Sequence, residues 1–348
     1  MDQLISLDRA DNRFLSHLEG TFSTSHRAIP TKSLNVNSKK EYVTFKIVPV
    51  QNVKRPRTIL LWWETLRLSS ICLSLGPVLS ALVLLNVTGV AVIEYLAVLS
   101  FVSVFLLHAS MNLLNDYYDH LKGVDRLESI HAIQKGWMRA IDLYNWGVSL
   151  LLMGLLIGLV VIYKAPGSLL PVIFLAAVGV LKFSSNRMGL KYLGLGELTI
   201  FLLAGPLLVL GYAIAVSSPI KNEIIILGVF SGLLATFTIH INNMREVMNN
   251  CQAGIKNLVT LFGYDRAKPI ACLILLGIAL SWWMILFQID KGPTSFVFWL
   301  LGVLLIKWVY FKIIWAKSNV SSHLNELLTN RYRIHFSITL LFALSVIF

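Results

Sequence analysis

Nine stretches of mostly apolar residues, separated by short polar connections, run through the last five-sixths of the chain, with cores near 68–88, 92–113, 141–163, 168–183, 196–216, 223–241, 269–288, 294–314 and 333–348. A helix needs about 20 such residues to cross a hydrocarbon core of about 30 Å. The pattern therefore predicts an all-α, polytopic membrane helix bundle of about nine transmembrane helices. The fourth and ninth stretches are the shortest. Residues 1–57 have no comparable stretch and read as a polar N-terminal extension, in part without fixed structure, ahead of a transmembrane domain over 58–348. Within it, Leu4 to Leu18 reads as a short amphipathic helix lying on the membrane. Residues 20–41, rich in Ser, Thr, Asn and Lys, read as a linker. No apolar run of signal-peptide type is visible there.

Composition agrees with the pattern. Of 348 residues, 56% are hydrophobic and 14% charged, too little charge to jacket soluble domains of this size. The net charge of +12 at first suggests nucleic acid, but its distribution points elsewhere. The even-numbered connections hold sixteen Lys and Arg residues, against Lys164, Lys221 and Lys291 in the odd ones. By the positive-inside rule the even connections and the N-terminal extension are cytoplasmic, and no nucleic-acid partner is needed to explain the charge. Cys72, Cys251 and Cys272 have neither the spacing of a disulfide framework nor that of a zinc site.

Two connections carry unusual chemistry. The second stretch ends in Asn112-Leu-Leu-Asn115-Asp116-Tyr117-Tyr118-Asp119-His-Leu-Lys122-Gly123-Val-Asp125. On a continuing helix Asn112, Asn115, Asp116 and Asp119 share one face, an oxygen-rich stripe that is expensive at membrane depth unless it meets a cavity or a cation. The sixth stretch ends similarly, with Asn242, Glu246, Asn249 and Asn250 on one face and Arg245 and Lys256 nearby. The two segments read as a diverged internal repeat. Two such stripes at one mouth suit Mg²⁺, a hard cation that keeps waters and bridges carboxylates to phosphates, with Asp116, Asp119, Glu246 and Asn250 as its ligands. Arg245 and Lys256 supply positive charge for a diphosphate. Glu197, at the start of the fifth stretch, either orients a substrate hydroxyl or is a helix-start carboxylate paired with Lys191. His108 and His240 read as packing histidines.

These segments resemble the UbiA superfamily of intramembrane prenyltransferases, and within it the 1,4-dihydroxy-2-naphthoate polyprenyltransferases of menaquinone synthesis. Asn112 to Asp125 is similar to the first aspartate motif of that branch, including Gly123-Val-Asp125. Ser74-Leu-Gly-Pro77 is similar to its opening helix, and Tyr192-Leu-Gly194-Leu-Gly196-Glu197, followed by Phe201 and Gly205-Pro206, to its central helix. His240-Ile-Asn242-Asn243-Met-Arg245 resembles the start of its second motif, where Glu246 and Asn250 stand in place of the family's aspartates. Phe183-Ser-Ser-Asn186-Arg187 lacks the branch's Tyr and Gly-Gly-Pro run.

The resemblance implies Mg²⁺-dependent transfer of a polyprenyl chain from a polyprenyl diphosphate to an aromatic quinone precursor, in the inner membrane among its lipids. Asn115, Asp116, Asp119 and Asp125 would be catalytic, and Asn112, Tyr118, Lys182, Glu197, Arg245 and Lys256 would bind substrate. Rings such as Tyr117, Tyr118 and Phe201 would shield an allylic cation. Another acceptor, 4-hydroxybenzoate or a lipid alcohol, is the alternative within the same chemistry. A non-catalytic isoprenoid-binding or transport role is the alternative outside it.

Overall fold

A computed structural model describes residues 3–33, 42–121, 132–183, 189–252 and 254–348. The N-terminal segment departs from the expected surface helix and linker. It forms a three-stranded antiparallel sheet, β1 (Gln3–Asp8), β2 (His26–Ser33) and β3 (Tyr42–Pro49), in the order β1-β3-β2, with the short helix α1 (Phe14–Glu19) across it. The reason lies in β3, where Val43, Phe45 and Ile47 alternate inward with polar neighbours outward, a period of two. Those three residues, Leu7 and Phe14 make a small core of their own. The His17 ring stacks on Phe22 at its edge. Gly20, at φ 75, closes α1 with backbone that an L side chain rarely adopts.

A short helix, α2 (Thr58–Thr65), leads into the bundle, which opens with the 3₁₀ turn Leu68–Ile71 and α3 (Cys72–Val87). Then come α4 (Glu94–Leu121), α5 (Ala140–Lys164), α6 (Leu169–Phe183), α7 (Gly196–Ala204), α8 (Pro206–Ala215) and α9 (Asn222–Arg245). Two short helices, α10 (Val247–Gln252) and α11 (Leu258–Phe262), precede α12 (Tyr264–Gln288), α13 (Pro293–Trp315) and α14 (Ser322–Ile347). Among the described residues, seven helical segments are long and apolar enough to cross a membrane, with α7 and α8 counted as one. Of the other two expected stretches, α6 has only 15 residues, and α14 starts eleven residues before its apolar core, in a polar turn capped by Ser321. Crossings by α6 and α14 are therefore not among the seven.

Small residues set the close crossings. Along α4 and α5, Ser110 and Ser103 donate to the carbonyls of Gly147 and Gly154, both at 2.7 Å, where small residues let the backbones approach. The fifth stretch is broken at Gly205-Pro206. A Cβ at Gly205 would lie 2.4 Å from the Gly228 carbonyl and 2.5 Å from the Gly232 Cα, so only glycine fits against α9 there. The main core lies between α3, α8, α9, α12, α13 and α14, around the fully buried Trp282, whose Nε1 donates to Ser345 Oγ at 2.9 Å.

Candidate active site

The helix α4 has 28 residues, about two turns more than its apolar core, and the extra turns carry the first stripe as one continuous helix. Asp116 and Asp119 are 2% and 4% exposed. A carboxylate so deeply placed needs a partner, because desolvating its charge costs several kcal/mol. Asp116 has the guanidinium of Arg67 against Oδ1. Arg67 sits between α2 and the 3₁₀ turn in a left-handed conformation (φ 50, ψ 50). Asp119 Oδ2 accepts from Lys191 Nζ at 2.6 Å and from Asn115 Nδ2 at 2.9 Å, and Lys191 also reaches Asn115 Oδ1 at 3.2 Å. Asn112 spends its amide on Leu66 O (2.9 Å) and Ser70 Oγ (3.1 Å), fastening α4 to the entry of α3.

The second stripe is not one helix. The helix α9 ends at Arg245, Glu246 occupies the joint at φ −95 and ψ 13, and α10 follows. The i to i−4 backbone bonds Glu246 to Asn242 and Asn250 to Glu246 persist at 3.0 and 2.8 Å, so the three side chains keep to one side despite the break. Asn242 Nδ2 donates to Glu246 Oε2 at 3.0 Å, and Asn250 is buried. Arg245 turns to α14, where its Nε donates to Asn325 Oδ1 at 2.6 Å.

The two halves meet through the connection before α7. A bridge pairs Leu193 with Lys256, and the Lys256 side chain is exposed beside it. Glu197 does not pair with Lys191. It is 2% exposed and accepts from Asn243 Nδ2 at 2.7 Å and from the Leu258 amide at 3.3 Å, with His240 Nδ1 at 3.8 Å. The Lys191 expectation fails because Gly194, at φ 88, turns the chain between them, leaving Lys191 on the Asp119 side. His240 donates from Nε2 to Ala267 O at 3.0 Å, and His108 meets Ser70 Oγ at 3.0 Å, ties suited to packing.

Tyr117, expected to line a cavity, points instead to α1 beside the N-terminal sheet. Its hydroxyl donates to Glu19 Oε1 at 2.9 Å, and its ring lies 5.0 Å from Tyr144. Phe201 packs toward Gly232. Tyr118 is half-buried, its ring 5.1 Å from that of Tyr117. Lys182 is exposed on the last turn of α6. Asp125, with Lys122 and Gly123, lies outside the described residues. Among those described, no three His, Cys, Asp or Glu side chains gather where one metal ion could hold them all. The donors at hand, Asp116 and Asp119 with Glu246 and Asn250, are nonetheless all oxygen, the chemistry a hard divalent cation takes. Between α4, α5, α6 and α8 an apolar cavity of about 100 Å³ is lined by Ser103, Leu107, Gly158, Ile173, Leu207 and Tyr212.

The sequence carries no expectation for Arg67, and of the two readings left open for Glu197 the pairing with Lys191 is the one that does not form. The only signal for Arg67 was an arginine on the threshold of the first apolar stretch.

Residues 74–327 match the model of the UbiA prenyltransferase family. A 1,4-dihydroxy-2-naphthoate octaprenyltransferase of Haemophilus influenzae is 29% identical over 300 residues, 82% of this chain and 96% of its own. Human UbiA prenyltransferase domain-containing protein 1 is 30% identical over 166 residues, 47% of this chain and 49% of its own. In fold, the chain is similar to a UbiA homolog from Archaeoglobus fulgidus bound to DMAPP and Mg²⁺, with a TM-score of 0.59 at 17% identity over 82% of this chain and 98% of that one.

Proposed function

Because the chain belongs to the UbiA prenyltransferase family, we propose that this prenyltransferase moves a polyprenyl chain from an allylic diphosphate to an aromatic ring carbon, with 1,4-dihydroxy-2-naphthoate as acceptor. The observation that carries the reading is the buried pair Asp116 and Asp119, each against a cation, facing the connection that joins α4 to the second stripe. The name of the Haemophilus influenzae relative, matched over nearly its whole length, supports the acceptor. The fold shared with a homolog bound to DMAPP and Mg²⁺ supports the donor and the metal.

In this reading Asp116, Asp119, Glu246 and Asn250 would hold Mg²⁺, which when bound would supply positive charge to neutralise the departing diphosphate. Arg67 and Lys191, now neutralising the carboxylates, are placed to take diphosphate oxygens once those carboxylates are otherwise engaged. The bond between the first prenyl carbon and the diphosphate oxygen breaks, its electron pair leaving with the diphosphate. A ring carbon supplies the pair for the new carbon–carbon bond, and the ring recovers aromaticity by losing a proton or carbon dioxide. Leu107 lies nine residues before Asp116, about 13 Å along a helix, so the apolar cavity is in reach of a hydrocarbon tail whose head is at the stripe. The N-terminal sheet and α1 would lie on the same side, which positive-inside counting makes the cytoplasmic face of the inner membrane.

Membranes containing the protein, a radiolabelled allylic diphosphate and a panel of aromatic acceptors test the reading, with and without a chelator. Chelator-sensitive label in a naphthoate product supports it. Label on 4-hydroxybenzoate alone would move the acceptor, and no transfer to any acceptor at saturating Mg²⁺ would sink the enzymatic reading.

A further inference from the structure

Where the N-terminal sheet meets the start of α5, three arginines converge that the transferase reading does not use. We propose that Arg27, Arg55 and Arg139 form a binding site for the phosphate of an anionic membrane phospholipid.

The convergence is built by packing. Ile29 of β2 fills the space over Gly136, where a Cβ would fall 2.8 Å from Ile29 Cδ1 and 3.7 Å from Val53 Cγ2. Trp137 Nε1 donates to Lys54 O at 3.0 Å, and Arg139 lies over Gly20, its Cβ 3.1 Å from where a Gly20 Cβ would be. Ile29, the backbone of 53–54 and Gly136-Trp137 are thus packed together, which brings Arg27, Arg55 and Arg139, each within three residues of those contacts, into one region. Burial, and then the charges of Arg55 and Arg139, pull the Arg27 guanidinium below its ordinary value. The carboxylate acting on Arg27 is Asp142, and Asp142 is already gripped by Arg139 through Nε at 2.9 Å and Nη2 at 2.6 Å. Three positive charges and one negative leave an excess of about two, which an anion would relieve.

Arg27 also has donors to spare. Its Nε is buried with no hydrogen-bond partner among the described residues, and its Nη1 reaches only the His26 carbonyl at 3.3 Å. A buried donor left unmet is unfavourable, and a phosphate oxygen would satisfy it. Lys135, close by, is different: it is committed to Glu64 at 3.7 Å and to the Trp137 ring.

The neighbouring surface says what carries the phosphate. Lys54 to Arg57 runs directly into α2, whose Ile59 is 82% exposed, with Leu60 and Trp63 exposed beside it. Trp62 meets Trp146 of α5 edge-on at 5.4 Å. A cationic site continuous with an apolar helix rich in Trp is arranged as a headgroup and its chains would be, with aromatic rings at the membrane interface. A free phosphate would need only the arginines.

The test uses the purified full chain in nanodiscs of phosphatidylcholine, of phosphatidylcholine with phosphatidylglycerol, and of phosphatidylcholine with inorganic phosphate in the buffer. The readouts are the thermal midpoint and lipid retained in native mass spectrometry. Phosphatidylglycerol should raise the midpoint and be retained. Arg27→Gln and Arg55→Gln should each lower retention by about fivefold or more, whereas Lys317→Gln, an exposed charge elsewhere, should not. Arg55 is exposed, so its variant carries the test if Arg27→Gln fails to fold. Undiminished retention in Arg55→Gln, or equal loss in Lys317→Gln, would overturn the site. An arginine-dependent shift produced by inorganic phosphate and not by phosphatidylglycerol would overturn the lipid and leave a soluble phosphate as the ligand.

Discussion

Asp116 and Asp119 are held by cations in the free protein and, in the proposed reaction, by a metal–diphosphate complex, and one substitution separates the two situations. Replacing either by Asn keeps the shape and the hydrogen-bonding oxygen but removes the charge. Asp116→Asn and Asp119→Asn should each lower prenyl transfer about a hundredfold or more at saturating Mg²⁺ while the protein stays folded, with a lowered thermal midpoint because Arg67 or Lys191 loses its partner. Near-normal turnover would remove the metal from this stripe. The second stripe gives a graded prediction. Asn250 stands where an aspartate would add charge, so Asn250→Asp should lower the Mg²⁺ concentration for half-maximal rate by about tenfold, the factor that roughly 1.4 kcal/mol of added attraction produces. An unchanged Mg²⁺ titration would place Asn250 away from the metal. At this scale the acceptors were legible in the sequence because their helical spacing is local. The cations were not. Arg67 reaches Asp116 across 49 positions through a left-handed residue, and Lys191 is steered to Asp119 by the turn at Gly194.

Between elements, the close approach of the fifth stretch to α9 makes the sharpest demand. Gly205 faces backbone, not a movable side chain, so Gly205→Ala cannot be accommodated by a rotamer change. It should destabilise the bundle by about 3 kcal/mol or more and lower the midpoint of heat-induced loss of ligand-free protein from detergent. Ala at Gly292, where a Cβ would meet nothing within 4 Å, is the matched control. A Gly205→Ala protein as stable as that control would show that the two helices are not locked at this crossing. Apolar length located seven of the nine expected stretches as helices long enough to cross a membrane among the described residues, but not their polar ends. The helix α4 runs eight residues past its apolar core because the buried stripe is itself helical, and α14 begins at a Ser321 cap that hydropathy does not register. The sheet was missed for another reason. Its alternation over Val43, Phe45 and Ile47 is only a few residues long, and β1 and β2, which complete it, are weak signals until β3 pairs them.

Taken as a whole, the molecule places both stripes, the N-terminal sheet and the exposed Cys251 at the same end of the bundle, and that arrangement makes the membrane orientation measurable. The sheet is tied to the first stripe by Tyr117 on Glu19 and by His120, whose Nε2 donates to Leu18 O at 2.9 Å, so whichever side holds the stripes holds the N-terminus too. Sixteen Lys and Arg residues in the even connections, against three in the odd, predict that this side is cytoplasmic. Cys251 lies in α10, next to Asn250, and is exposed, whereas Cys72 and Cys272 are half-buried in α3 and α12. A membrane-impermeant maleimide should therefore leave the protein unmodified in intact cells and label it in inside-out vesicles, and Cys251→Ser should abolish that labelling. Prior exposure of the vesicles to an allylic diphosphate with Mg²⁺ should slow the reaction, since the thiol sits one residue from a proposed ligand. Labelling of Cys251 in intact cells would reverse the orientation. It would also put the proposed diphosphate site on the outer side, and the transferase reading would then need a donor supplied from there.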